Sequence, residues 1–291
     1  MFSSTAPVSW ALGPRLVDVN RVGRWKSYFL RNSVYLSRVV ESRRASDHFE
    51  APFDYYTTNR VMEPRQLGHP LDRPIWTALT ARQAEFAQVE GGMRRFDPAF
   101  GPFAASAEGT AESLAGLATL VPVGGQVYLL QGEEISPPPG LVLVRTARIM
   151  QMVSDKIEGP PAAKAFEVLP PADGPEMLAL ANLTKPGPFA ERTHELGRFL
   201  GVRHEGRLIA MAGERMKSGP FTEISGVCTH PDHRGRGYAA GLMREVARTV
   251  LARGETPFLH TFADNLGAIA LYERLGFVTR WQPILIALER A

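Results

Sequence analysis

The run His230-Pro231-Asp232-His233-Arg234-Gly235-Arg236-Gly237-Tyr238-Ala239-Ala240-Gly241 follows an apolar, β-branched stretch and opens a segment patterned with Ala, Leu, Met and Val. Two glycines let a backbone turn sharply and approach an anion. The unpaired N–H groups of a helix start and the positive end of its dipole then face that anion. An anionic cofactor held by its phosphates is the chemistry this spacing predicts. Gly235, Gly237 and Ala240 also fit the dinucleotide pattern G-x-G-x-x-[GA]. That fold needs its glycines after a first strand, several further βαβ units and an acidic residue about 20 residues on. Between the glycines and Ala291 the pattern predicts one helix, one strand, one more helix and a last strand, too little for that sheet.

A second pattern fits the same residues better: Arg234-x-x-Gly237-x-Ala239, preceded by the strand-like Ile224-Ser225-Gly226-Val227-Cys228-Thr229. It resembles the acetyl-CoA-binding motif [QR]-x-x-G-x-[GA] of the GCN5-related N-acetyltransferases (GNAT), here of the FR47-like type. Asn265-x-x-Ala268-x-x-Leu271-Tyr272-Glu273-x-Leu275-Gly276-Phe277 resembles the other signature of that family. The resemblance covers about residues 165–291. It implies an α/β fold with a mixed central sheet, splayed parallel strands and flanking helices, preceded by a smaller α/β unit.

The resemblance also implies a chemistry. Strands at 221–229 and 257–262 would run parallel and then part, and the pantetheine arm of the cofactor would enter the gap. Parting frees backbone N–H and C=O groups, which the amide-rich arm satisfies as an added strand would. Gly226 suits a bulge there. Backbone groups of Val227, Cys228 and Thr229 would hold the arm, with one N–H polarising the thioester carbonyl. The pyrophosphate would rest on amides of Arg234, Gly235, Arg236, Gly237, Tyr238 and Ala239. Asn265 would cap its helix and touch the cofactor. Tyr272 falls where relatives place a proton donor for the departing thiolate; its ordinary reading is core packing with the hydroxyl at the edge. Glu223 falls where the family often carries a carboxylate that deprotonates the amine directly or through water. Its ordinary reading is an exposed strand residue or an ion-pair partner. The acceptor pocket would form around 185–195 and 198–201, where Phe189, His194 and Glu195 are candidate lining residues.

Other reactive residue types carry less. A strand cysteine without an activating base, as at Cys228, reads as a small buried hydrophobe rather than a nucleophile. His230, His233 and His260 lack metal-ligand spacing, so no metal is expected. With one cysteine no internal disulfide can form, and no apolar run suggests a membrane span or secretory leader, which favours a cytoplasmic protein. The formal charge of +3 is small for 291 residues. Residues 1–67 hold ten Lys/Arg against six Asp/Glu, and only 24–44 approaches a nucleic-acid-binding composition.

Three stretches follow from composition and punctuation. Residues 1–66 lack sustained periodicity apart from a short helix at 27–42, and read as an extension, an upstream start or an Arg-rich arm. Residues 67–158 read as a small α/β unit, in the position of a degenerate half-domain, with helical patterning at 76–88 and 110–120 and strands at 126–131 and 141–153. Gly159-Pro160-Pro161 marks a linker. Residues 163–291 form the acetyltransferase-like domain. There the pattern predicts a strand at 166–169, helices at 174–183 and 190–196, and strands at 198–204, 207–215 and 221–229. A helix at 238–253, a strand at 257–262, a helix from Asn265 to Leu275 and one final strand at 277–288 complete it. The expected activity is transfer of acetyl from acetyl-CoA to a primary amine, on a small molecule or a peptide, by direct attack. The alternative is a catalytically silent, CoA-binding regulatory or scaffolding module. The sequence leaves the oligomeric state open.

Overall fold

The computed structural model describes residues 68–110, 112–161 and 166–291. The expectations for 1–66, including the helix at 27–42 and the basic run at 24–44, lie outside the described residues. Helix α1 (Pro74–Leu79) has proline in its first turn, where a missing N–H costs nothing, and buries Ile75, Ala78 and Leu79. Strands β1 (Ala87–Glu90), β2 (Met93–Phe96) and β3 (Ala104–Ser106) form a small antiparallel sheet that the sequence pattern did not announce. The stretch at 110–120 contributes a 3₁₀ turn, Glu112–Leu114, and only one α-helical turn, α2 (Leu117–Leu120). Strands β4 (Gln126–Gln131) and β5 (Leu141–Val153) follow.

The later elements arrive in the expected order, except that the helix expected at 190–196 is only a 3₁₀ turn. They are β6 (Glu167–Leu169), α3 (Gly174–Thr184), a 3₁₀ turn Thr193–Leu196, β7 (Phe199–His204), β8 (Arg207–Ser218) and β9 (Phe221–Thr229). Next come α4 (Tyr238–Ala252), β10 (Thr256–Phe262), α5 (Leu266–Arg274), β11 (Val278–Trp281) and β12 (Ile284–Arg290). Glu205 and Gly206 both have positive φ, 50° and 77°, which matches the right-handed twist of the hairpin they close. The last strand, expected as one piece, is divided. Pro283 has no N–H for a ladder, while its C=O accepts from the Ile149 N–H at 2.9 Å. Strand β11 pairs with the end of β5 and β12 with its beginning.

The large sheet has the order β4-β12-β5-β10-β9-β8-β7-β6, with β11 beside β5. Strands β9 and β10 run parallel, whereas β5 lies antiparallel to both β10 and β12. The division drawn from composition at 158–163 therefore does not separate two sheets, because β4 and β5 belong to the same sheet as the later strands. Helix α4 lays Leu242, Met243, Val246, Ala247 and Val250 on one face of that sheet, against Leu200, Ala210, Ile224 and Leu259. Each such large side chain contributes about 1.5–3 kcal/mol of burial. The 68–106 elements supply Leu71, Ile75, Phe96 and Phe103 to a second cluster, with Met216 of β8 and Phe258 of β10.

Gln83 shows why the helical pattern at 76–88 stops at Leu79. Its buried amide donates to Arg215 O at 2.8 Å and accepts from the Lys217 N–H at 2.9 Å. These backbone groups lie where the β8–β9 register shifts, and a helix continued through residue 83 would leave them unpaired. Among the described residues no helix is long and apolar enough to cross a membrane.

Candidate active site

Strands β9 and β10 are registered at only three pairs, Thr256 with Phe221, Pro257 with Thr222, and Phe258 with Glu223. Beyond them β9 runs on to Thr229 and β10 to Phe262, and β10 continues pairing only on its other side, with β5. The two strands thus form a fork that opens just past Glu223. The cause is local to β9. Its register against β8 shifts between Ser225 and Cys228, and Gly226 has φ 64°. A Cβ on Gly226 would come within 2.9 Å of the Phe199 ring, so glycine is required there for conformation and for space. The His230 N–H donates to Ile209 O at 2.7 Å on the β8 side. Antiparallel alternation then turns the backbone of Thr229 toward the gap.

The cradle lies at the mouth of this fork. Gly235 and Gly237 both have φ 77°, and an added Cβ would meet nothing at either, so their requirement is conformational. Gly237 caps α4 without any side-chain bond. The first helical amide bond is Gly241 N–H to Gly237 O, at 3.0 Å. Helix geometry leaves the amides of Tyr238, Ala239 and Ala240 without intrahelical partners, and residues 234–237 are exposed. An anion with several oxygens can cap all of them. Arg234 folds back so that its Nε donates to Thr229 O at 3.3 Å. Substituting Gly237 with Ala should cost about 1–2 kcal/mol of left-handed strain. Titration calorimetry should then show roughly tenfold weaker acetyl-CoA binding; unchanged affinity would remove the cradle from the site.

Val227, Tyr238 and Tyr272 all pack against the same apolar cluster under α4. The fork, the helix start and the tyrosine thus share one apolar support. Tyr272 lies edge-on to Phe277, with ring centroids 6.4 Å apart, and burial pushes its hydroxyl up to about 12. The hydroxyl therefore stays protonated across the physiological range. Asn265 caps α5 by accepting from the Ala268 N–H at 3.3 Å, on an exposed turn. Cys228 is buried beside Met177 and Leu180, and burial pushes its thiol up to about 11, which leaves it protonated and inert. His230 and His233 lie edge to face, 5.8 Å apart. Among the described residues no group of His, Cys, Asp and Glu is placed to hold a metal.

Glu223 is placed differently from a base facing an amine. It is fully buried at the closed end of the fork. Arg215 grips it through two bonds of 2.8 Å, Nε to Oε2 and Nη2 to Oε1, and His260 Nδ1 lies 2.8 Å from Oε1. Burial pushes the carboxyl up, but the Arg215 charge and the bonds from Arg215 and His260 outweigh it and hold the group at about 2. Both oxygens are engaged and their proton affinity is low, so this carboxylate takes the ion-pair role. Its contribution to stability is complete above about pH 4.5 and is lost as pH falls through about 2. Glu223→Gln should cost about 3–5 kcal/mol in chemical denaturation, because a buried guanidinium loses its counter-charge. A variant of normal stability that had lost only turnover would restore the base role.

Around the expected acceptor pocket, Phe189 packs edge-on to Phe199 at 5.7 Å. Glu195 is held by Arg192 through bonds of 2.9 and 2.7 Å, so its charge is answered at the surface. The His194 ring lies over the first turn of α3 at Gly174. Sequence reasoning missed Arg215, Gln151 and Arg280 altogether, and weighed His260 only as a metal ligand. The one available signal was an arginine in a predicted strand whose hairpin partner carries Glu223.

A family model described as FR47-like protein matches residues 199–286. A GNAT-family protein of known structure from Novosphingobium aromaticivorans DSM 12444 is 45% identical, with a TM-score of 0.72, over 77% of this chain and 99% of its own. The chain belongs to the GNAT family. A curated relative, the N-alpha-acetyltransferase RimI of Mycobacterium tuberculosis (strain ATCC 25618 / H37Rv), is 34% identical over 99 residues. That match takes in 32% of this chain and spans 61% of the relative. A GCN5-related N-acetyltransferase from Kribbella flavida, 16% identical with a TM-score of 0.50 over 73% of this chain and 94% of its own, shares the fold. Within this GNAT chain the matched region 199–286 holds the fork, the cradle and Tyr272, whereas β5, wedged between β10 and β12, precedes it.

Proposed function

We propose that this chain is an N-acyltransferase that uses acetyl-CoA and delivers the acetyl group to a primary amine. The observation that carries the reading is the fork of β9 and β10 opening directly beside an uncapped helix start. Acetyl-CoA supplies an activated acyl group as a thioester. The chain supplies amides of 238–240 for the diphosphate, backbone of 227–229 as a partner strand for the arm, and an N–H in the gap for the carbonyl oxygen as it gains charge. Tyr272 carries the hydroxyl that faces the departing sulfur in this reading. Burial raises it to about 12, which weakens it as an acid, so its help is a hydrogen bond to the forming thiolate, with proton transfer completed as that charge develops. With Glu223 committed to Arg215, the amine has to arrive neutral or lose its proton to water. Positioning then supplies most of the rate.

The name of the RimI relative supports a peptide α-amine as one acceptor class, and a small-molecule amine is the other. The buried state of Glu223 also favours a second reading, a CoA-binding module without turnover. An amine panel with acetyl-CoA, following free thiol alongside cofactor binding, separates the two. Amine-dependent thiol release supports the enzyme, and tight binding without release on any amine supports the module.

A further inference from the structure

The ion pair at the fork is one end of a longer chain of polar contacts. Gln151 of β5 is fully buried and lies directly across from His260 of β10. Its Nε2 donates to Leu71 O at 3.0 Å, and its Oε1 accepts from Arg280 Nη1 at 2.9 Å. A carbonyl demands the N–H end of the amide and a guanidinium demands the oxygen, so the Gln151 amide has one orientation. Its second N–H therefore faces His260 Nε2, 3.1 Å away, which must present its lone pair. The imidazole proton is thereby placed on Nδ1, donating to Glu223 Oε1 at 2.8 Å. At the far end Arg280 Nη2 donates to Asp72 Oδ1 at 2.6 Å.

This chain crosses the sheet where the fork begins. Glu223 belongs to the last registered pair of β9 and β10, and His260 is the next residue of β10 on the same face. Where backbone bonding between the two strands stops, a side-chain bond continues it. We propose that His260, fixed as the neutral Nδ1–H tautomer by Gln151, is a positioning residue that sets how wide the fork opens, so that Gln151 and Asp72, from outside the matched 199–286 region, tune acyl-CoA binding and transfer. The transfer part rests on the proposed enzyme activity, and the binding part rests only on the fork holding acyl-CoA, which both readings under the proposed function share. Losing the tie lets β9 and β10 shift, and displacement of about 1 Å at a reacting centre is worth up to about 10²-fold in rate. The charged and titratable groups along this contact chain are Glu223 of β9, which touches His260, Arg215 of β8 behind it, and on the Gln151 side Arg280 of β11 with Asp72 and His69 beside it.

The first test needs no substitution. Long-range nitrogen–proton correlation in the full chain, with the His260 signals assigned by their loss in His260→Asn, should show protonated Nδ1 and bare Nε2. The opposite tautomer overturns the proposal. In the second, Gln151→Met should weaken acetyl-CoA binding tenfold or more and lower kcat further than it raises KM. Gln151→Glu offers Nε2 an acceptor, and should move the acid limb of kcat/KM, or of binding, upward by at least one pH unit. Asp72→Asn, a milder change at the far end, should shift binding in the same direction by a few-fold and serves if the Gln151 variants do not fold. Folded variants with wild-type affinity and an unmoved pH profile would sink the proposal. A wild-type protein that binds acetyl-CoA but acetylates no amine sinks the transfer reading alone, because the tautomer and the affinities still decide this one.

Discussion

Residues 163–291 expressed alone should fail to give a cooperative unfolding transition, although they carry both family signatures. Strand β5 lies between β10 and β12, so its removal strips β10 of its partner from Phe258 to Phe262 and leaves β11 and β12 without the strand they share. Met216 and Phe258 would lose the apolar cover of Leu71, Ile75, Phe96 and Phe103. Arg280 would lose both Asp72 and Gln151, and the bulge of β8 would lose Gln83. Several mechanisms that are each severe act together here: uncovered core, unpaired strand edges and orphaned buried polar groups. Circular dichroism with thermal and urea unfolding, compared with the full chain, measures this directly. A sharp transition in the fragment would show that the later strands can close on one another without β5.

Tyr272→Phe should lower kcat by about 10²-fold or more, within the usual range for removing a positioned acid, while the affinity for acetyl-CoA changes less than twofold. The ring packs under α4 and against Phe277, and phenylalanine preserves that packing. What is lost is the hydroxyl, which burial holds protonated up to about 12. The deficit should shrink with an acyl donor whose leaving thiol is more acidic, since a stable thiolate needs no proton. Stopped-flow thiol detection with two such donors makes the comparison. An equal deficit for both would mean that Tyr272 acts through packing or orientation instead of proton transfer.

The cradle turn and the bulge at Gly226 were legible because their determinants are local, whereas the parting of β9 and β10 was expected only through the family resemblance. Positive φ at Gly226, Gly235 and Gly237 follows from what glycine alone tolerates, and Asn265 is a helix cap by its own side chain. The strand at 141–153 was also legible as a strand. Its destination was not, because hydrophobic alternation says which face is buried and nothing about which neighbour is hydrogen-bonded. The final strand was read as continuous since Pro283 interrupts only the ladder, leaving the apolar alternation intact.

By itself the sequence determined most of the elements from β6 onward and their order, the two signatures and the chemistry those signatures belong to. Each depends on residues a few positions apart. Only the tertiary structure decided that Glu223 is an ion-pair partner, that β5 completes the sheet, and that Asp72 reaches Arg280 across 208 residues of chain. A carboxylate is a base or a buried counter-ion according to its neighbours, and for Glu223 the neighbours come from separate strands that meet through register and sheet order.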